Sequence, residues 1–287
     1  MSNVLYDLPG PKARLRYRLI GVLSALGIVA LIAYIVWRFY DTGQFEPIRW
    51  EQFEYAQTQR DLVDGYLTTL RAAGTAAVLA LALGALLATG RLSDHAVFRA
   101  PASAFVELFR AIPLLILIFF AYYGPIQLGY KVGAFWPLVI GLTLYNGAVL
   151  SEIFRAGIIA VARGQSEAAY ALGMRKTQVM TSILLPQAVR AMLPAIISQV
   201  VVLLKDTALG FIIQLPELLY YGKQYGGRLT FGFPYVPGYL VVAAVYIGTC
   251  ALLSWFAFWL QKRLMGGPKQ AKTTAKAVKL ADVGQSV

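Results

Sequence analysis

Uncharged apolar runs too long for a water-soluble core set the terms for this chain. Leu19 to Trp37 carries no charged residue over about 19 positions, enough for an α-helix to cross the hydrocarbon core of a bilayer. Ala72 to Gly90 is a second such run, extended back to about Leu62. Further apolar stretches run from about Pro101 to Leu128, Phe135 to Ile159, Pro186 onward, and Pro237 to Leu260. Backbone N–H and C=O groups in lipid must be satisfied within the segment, so each run is predicted to be helical. The fold class is therefore all-α: a polytopic helical membrane protein with about six transmembrane helices. Composition agrees, at 58% hydrophobic and only 14% charged, where a soluble protein carries about a quarter charged residues.

The distribution of charge sets the orientation. The net charge is +12, and basic proteins often bind nucleic acid. Here Lys and Arg gather at the ends of apolar runs and in the C-terminal tail, the pattern of topology-setting charge, so no nucleic-acid partner is expected. Lys12, Arg14, Arg16 and Arg18 precede the first run. Arg91 opens a short basic loop, Lys262 and Arg263 close the last run, and Lys269, Lys272, Lys276 and Lys279 follow. The stretch from Phe39 to Asp64 is acidic instead, with Asp41, Glu46, Glu51, Glu54, Asp61 and Asp64 against Arg49 and Arg60. Six spans with both termini cytoplasmic put every basic cluster on one side, in a multi-pass protein of the cytoplasmic membrane.

The chain divides accordingly. Residues 1–18 form a basic cytoplasmic N-terminus in which Pro9 and Pro11 oppose helix. Residues 19–61 hold a first span and an outer loop. Residues 62–263 form the main transmembrane domain, with kinks expected at Pro113 and Gly124-Pro125. Thr207 to Tyr221 reads as a broken continuation of span five, followed by a Gly- and Tyr-rich outer loop (Tyr220, Tyr221, Gly222, Gly226, Gly227). Residues 264–287 lack aromatics and are expected to be disordered. The first run is too long for a signal-peptide core, and no small-x-small cleavage site precedes Arg38, so it reads as an uncleaved anchor. Cys250 stands alone, which rules out an intrachain disulfide. His95 has no Cys or His neighbours, so no metal site is expected.

Gln165 to Pro186 is a polar interruption between the fourth and fifth apolar runs. Ser166 is a candidate N-cap and places Glu167 in the first turn, where a negative charge suits the helix dipole. Ala168, Ala169, Ala171 and Leu172 continue the helix, and Gly173 can take the positive φ that turns the chain. A second helix is expected from Met174 towards Leu184, ending before Pro186, which opens the fifth span. The result is a helical hairpin between two spans, a shape suited to being gripped by another protein.

These residues carry a resemblance. Glu167-Ala168-Ala169, three residues, Gly173, nine residues, Ile183, one residue, then Leu185-Pro186 resembles the EAA signature of permease subunits of bacterial ABC importers. The resemblance implies that the hairpin is a cytoplasmic coupling helix docking in a cleft of an ATPase subunit, in a fold like that of type I importers. Phe109-Arg110-Ala111-Ile112-Pro113-Leu114-Leu115 is similar to the F-R-x-x-P-L-L stretch of the polar amino acid branch. Lys205-Asp206-Thr207-Ala208-Leu209 is similar to its K-D-T-S-L, with Ala208 in place of serine. The resemblance spans roughly residues 62 to 263 and leaves the first span outside. It implies a second permease subunit, identical or paralogous, an external solute-binding protein and a polar amino acid cargo, and no cofactor on this chain. The extra span, the long N-terminus and the basic tail look most like glutamate importer permeases of high-GC Gram-positive bacteria. No G-x-x-x-x-G-K-[ST], G-x-S-x-G or H-E-x-x-H pattern occurs. The chain thus reads as a non-catalytic membrane subunit, with ATP hydrolysed by a partner.

Charges within the runs are the candidates for a substrate path, since each costs about 2.5–3.5 kcal/mol at the centre of a helix in lipid. Lys205, Asp206 and Thr207 stand either at a helix break, with an ion pair beside the path, or at the outer interface of a span shortened by Pro194. Glu152 and Arg155 are spaced to pair on one helix face, either for the path or as a structural pair. Arg71 lies within the membrane or snorkels outward. If Arg155 and Lys205 occupy both acids, Arg71 is a spare cation, which favours glutamate or aspartate over arginine, with glutamine between. An ion-coupled secondary transporter is the main alternative. A receptor or scaffold leaves the Ile183-x-Leu185-Pro186 spacing unexplained.

Overall fold

The computed structural model describes residues 10–265, and every regular element among them is helical. Five helices are long and apolar enough to cross a membrane. The first is α1 (Pro11–Asp41). A short α2 (Pro47–Glu51) and a 3-10 turn lead into α3 (Ala56–Arg91). The other three are α6 (Phe135–Ile159), the run from Lys176 to Ile213, and α11 (Tyr235–Met265). Between α3 and α6 lie α4 (Ala96–Ala111) and α5 (Leu114–Gln127), which meet at 97°. The expected third span is therefore no kinked rod but two helices at nearly a right angle. Pro113 explains the corner: it has no N–H and drives Ile112 to extended backbone, at φ −84° and ψ 127°. Pro101 and Pro125 sit inside their helices and end neither.

Two further expectations are corrected. Pro11 does not oppose helix. It opens α1 from the first helical positions, where its missing N–H has no partner to lose. The Gly- and Tyr-rich stretch is not a loop but α10 (Leu218–Gly226). Its glycines allow close contact with α11: a Cβ on Gly222 would lie 2.4 Å from Val242 Cγ2. The expected disorder of the tail concerns residues that, after Met265, lie outside the described ones, as does Pro9.

The core is the seam of α3 on α6. Ala72, Ala73, Ala76 and Ala80 of α3 are buried against Leu138, Val139, Leu142 and Leu150 of α6, with Ile118 of α5 beside them. Lipid tails are as apolar as leucine, so such a seam is held by close packing, which small residues permit. In contrast, α1 is exposed along its membrane-length window.

Candidate functional site

The hairpin begins with α7 (Arg163–Ala171), three residues earlier than its expected cap. Ser166 is not an N-cap: it lies inside the helix and donates its hydroxyl to the Arg163 carbonyl at 2.8 Å. Glu167 accordingly falls in the second turn, where the helix dipole counts for less. Gly173 has φ +79° as expected. The Met174 N–H donates to the Ala169 carbonyl at 3.2 Å and the Gly173 N–H to Tyr170 at 2.9 Å. This pair of bonds is a Schellman closure.

Beyond the turn, α8 (Lys176–Gln178) passes through a π-helical turn, Val179–Leu184, directly into α9 (Leu185–Asp206). Pro186 is the second residue of α9, as expected, but no break precedes it: the π-helical turn runs straight into α9. The wider turn before it accommodates the ring and the missing donor that a regular helix could not. Gln187 stitches the region, donating its side-chain amide to the Ile183 carbonyl at 2.8 Å and to Gln165 Oε1 at 3.4 Å. Ala169 and Val179 pack inward, Ile183 is half-buried, and Glu167, Ala168, Gly173, Leu185 and Pro186 are exposed. Tyr170 and Leu172 are exposed beside them, at 49% and 83%. Apolar side chains displayed on a projecting helix outside the spans form a surface for another protein.

Glu152 and Arg155 do pair, at 2.5 Å. They belong to a larger cluster: Arg91 of α3 also donates to Glu152, and Arg110 of α4 lies 4.0 Å from it. Three guanidiniums thus surround one carboxylate, and the Nε atoms of Arg91 and Arg155 are buried without a hydrogen-bond partner among the described residues. Local spacing could show only the Glu152–Arg155 pair, because the other two come from separate helices.

Lys205 and Asp206 form no ion pair among the described residues. Successive helical residues do not face each other, which corrects that expectation. The expected break is present: α9 tightens into a 3-10 helix, Thr207–Ile213, and the buried Thr207 donates its hydroxyl to the Leu204 carbonyl at 2.6 Å. Lys205 lines a groove of about 400 Å³ between α9 and α11, together with Ser198, Ser254 and Gln261. Arg71 is exposed on α3 and joins neither group.

Two polar nodes escaped sequence reasoning. Gln199 of α9 donates to Oδ1 of the fully buried Asn146 of α6 at 2.7 Å. Amides within apolar runs were the available signal. Glu217, also fully buried, caps α10 by accepting from the N–H groups of Leu219 and Tyr220 at 2.9 and 2.7 Å. It further accepts from the Tyr246 hydroxyl at 2.9 Å and the Thr69 hydroxyl at 3.4 Å, tying α10 to α11 and α3. Burial pushes its carboxyl up to about 7, against these four donors.

A bundle of membrane-length helices with an exposed helical hairpin between two of them is a multi-pass membrane protein with a built docking element, and the family match makes it a transport permease subunit. The chain belongs to the family described as binding-protein-dependent transport system inner membrane component, which matches residues 80–266. It is 39% identical to the glutamate transport system permease protein GluD of Corynebacterium glutamicum, over 84% of this chain and 89% of that one. It is 36% identical to a probable glutamine ABC transporter permease of Bacillus subtilis, over 70% of this chain and 93% of that one. A solved amino acid ABC transporter, its structure determined with histidines, superposes with a TM-score of 0.67 at 28% identity, covering 72% of this chain and 95% of that one. The chain is an amino acid ABC permease subunit of the multi-pass membrane type.

Proposed function

We propose that the chain is the membrane subunit of an ATP-driven importer that carries an acidic amino acid, glutamate, across the cytoplasmic membrane. The observation that carries the acidic cargo is the Lys205 ammonium, which lines a mostly apolar groove that also holds Ser198, Ser254 and Gln261, and has no ion-pair partner among the described residues. A substrate carboxylate would supply the missing anion. Lys205 replaces Arg71 in this role, because Arg71 stands apart from the other charges. The glutamate permease among the relatives supports the same cargo.

The chain hydrolyses nothing itself. A separate ATPase subunit grips the hairpin around Glu167 to Gly173, a second permease subunit completes the path, and an external binding protein delivers the amino acid. Both termini face the cytoplasm. Closure of the ATPase pair moves the hairpin and switches access from one side to the other. The test is uptake of labelled glutamate into proteoliposomes holding the full importer, challenged by unlabelled competitors. Inhibition by aspartate supports the reading. Inhibition by arginine but not by aspartate reverses the cargo, and uptake without the ATPase would make the protein a secondary transporter.

A further inference from the structure

The hairpin continues covalently into α9, and it touches the bundle by an ionic contact at one further place. Lys176, the first residue of α8, donates to Asp94 of the α3–α4 connection, 82 residues away. A cavity of about 670 Å³ lies there, walled by Ala88 of α3, Phe154 and Ile158 of α6, and Met180, Leu185 and Met192 of the hairpin side. Asp94 and Lys176 both line it. The pair therefore bridges a gap that side-chain packing leaves open.

What lies behind Asp94 gives the bridge its significance. The connection is short and internally bonded: the Leu92 N–H donates to the Ala88 carbonyl at 3.0 Å, and the Ser93 N–H to Gly90 at 3.1 Å. The His95 N–H donates to Ser93 Oγ at 3.2 Å. Arg91, at the base of this turn, holds Glu152, which also holds Arg155 and has Arg110 nearby. Lys176 is thus connected to α3, α6 and α4 through one tight turn and one partly buried charge cluster.

As a stabiliser the pair counts for little. Its side chains are 49% and 76% exposed, and water screens pairs of that kind, so each is held only weakly. A weak contact that fixes position is a suitable joint for a moving part. We propose that Asp94 is a positioning residue for coupling: through Lys176 it holds the hairpin in register with the α3–α4 turn and passes the hairpin's displacement to the Arg91–Glu152 cluster. This rests on the importer reading above.

The experiment is a charge swap in the complete transporter, with ATPase and binding protein, in proteoliposomes. Uptake per ATP hydrolysed is measured for Asp94→Lys, Lys176→Asp and the double variant, normalised to assembled complex. Each single variant is expected to lower the ratio by about 3–5-fold, the scale of an exposed pair. The double variant, with the pair rebuilt in reverse, is expected to return to within about twofold of wild type. Asp94→Asn, which keeps shape and loses charge, is expected to fall by a smaller factor, and it serves if a reversed variant fails to assemble. A wild-type ratio in the assembled single variants, or no recovery in the double, overturns the proposal. Absence of ATP-dependent uptake in the wild-type complex would instead be a failure of the importer reading.

Discussion

Gly84 of α3 lies so close to Gly147 of α6 that a Cβ on Gly84 would come within 3.1 Å of the Gly147 carbonyl oxygen and 2.9 Å of Leu150 Cβ. The contact runs both ways, since a Cβ on Gly147 would meet Leu83 Cδ2 at 2.8 Å. With no hydrophobic drive between helices in lipid, this approach is what holds the seam together. Gly84→Val is expected to destabilise the fold by about 1–3 kcal/mol through overpacking against backbone. Thermal unfolding in detergent reads it. Gly74→Ala on the same helix meets nothing within 4 Å and should be silent; equal loss in both variants would detach the effect from the seam.

Further along that seam, Glu152 is the shared acceptor for Arg91 and Arg155. Glu152→Gln leaves both guanidiniums without a carboxylate, and Arg91 is only 12% exposed. A loss of about 2 kcal/mol is expected, below the roughly 3–5 kcal/mol of a fully buried pair because water still reaches Glu152. Replacing Arg110, half-exposed and at 4.0 Å, should cost clearly less. An Arg110→Gln loss as large as that of Glu152→Gln would mean that Arg110 is bound to Glu152 as firmly as Arg91 and Arg155 are.

Much of this was legible in the residues. Run length and charge asymmetry gave the spans, because lipid leaves helix as the way to satisfy their backbone groups. Gly173 and the EAA spacing gave the hairpin turn. What escaped depends on partners distant in sequence. Arg91 and Glu152 meet because α3 packs on α6, and nothing near either residue announces it. The start of α7 was missed because Ser166, a good cap in isolation, lies within a helix that begins at Arg163. Pro186 does stand in the first turn of α9, but a π-helical turn replaces the break expected before it, and that choice leaves no mark in composition.

Glu217 predicts a pH dependence. Burial raises its carboxyl from 4.5 to about 7, so between those values the folded protein binds the proton more readily than the unfolded chain. Stability from this group is then fully present below about pH 4.5 and is lost as pH rises towards 7, by roughly 3 kcal/mol in total. The melting temperature of the detergent-solubilised protein should fall across that window and level off above it. Glu217→Gln, neutral throughout, should flatten the slope; an unchanged slope would assign the pH dependence to other groups.

At Gly173 the penalty is one of backbone, not space, since a Cβ would meet nothing within 4 Å. A left-handed φ costs an ordinary L-residue about 1–2 kcal/mol, and asparagine less. Gly173→Ala should therefore impair coupled transport, Gly173→Asn less so, and Gly173→Pro should abolish it because the ring fixes φ near −65°. Glu167→Lys, a charge reversal on the exposed face of α7, should abolish uptake with membrane insertion intact. Substrate-stimulated ATP hydrolysis is the measurement, and wild-type values in Gly173→Pro and Glu167→Lys would remove the hairpin from the coupling path.

Lys205 separates structure from transport. Its ammonium lines the α9–α11 groove with no ion pair among the described residues, and a charge within a span carries a cost of up to about 2.5–3.5 kcal/mol on insertion scales. Lys205→Met keeps the length and apolar stem while removing the charge, so thermal stability should hold or rise. If the groove receives a substrate carboxylate, glutamate uptake should fall by at least about tenfold, the loss of one charge-assisted hydrogen bond. Lys205→Arg, which restores the cation with different geometry, should recover part of it. The opposing movement of stability and activity is the diagnostic, since a purely structural lysine would lose or keep both together. Full uptake in Lys205→Met would take the groove out of the substrate path and leave the acidic cargo resting on similarity alone.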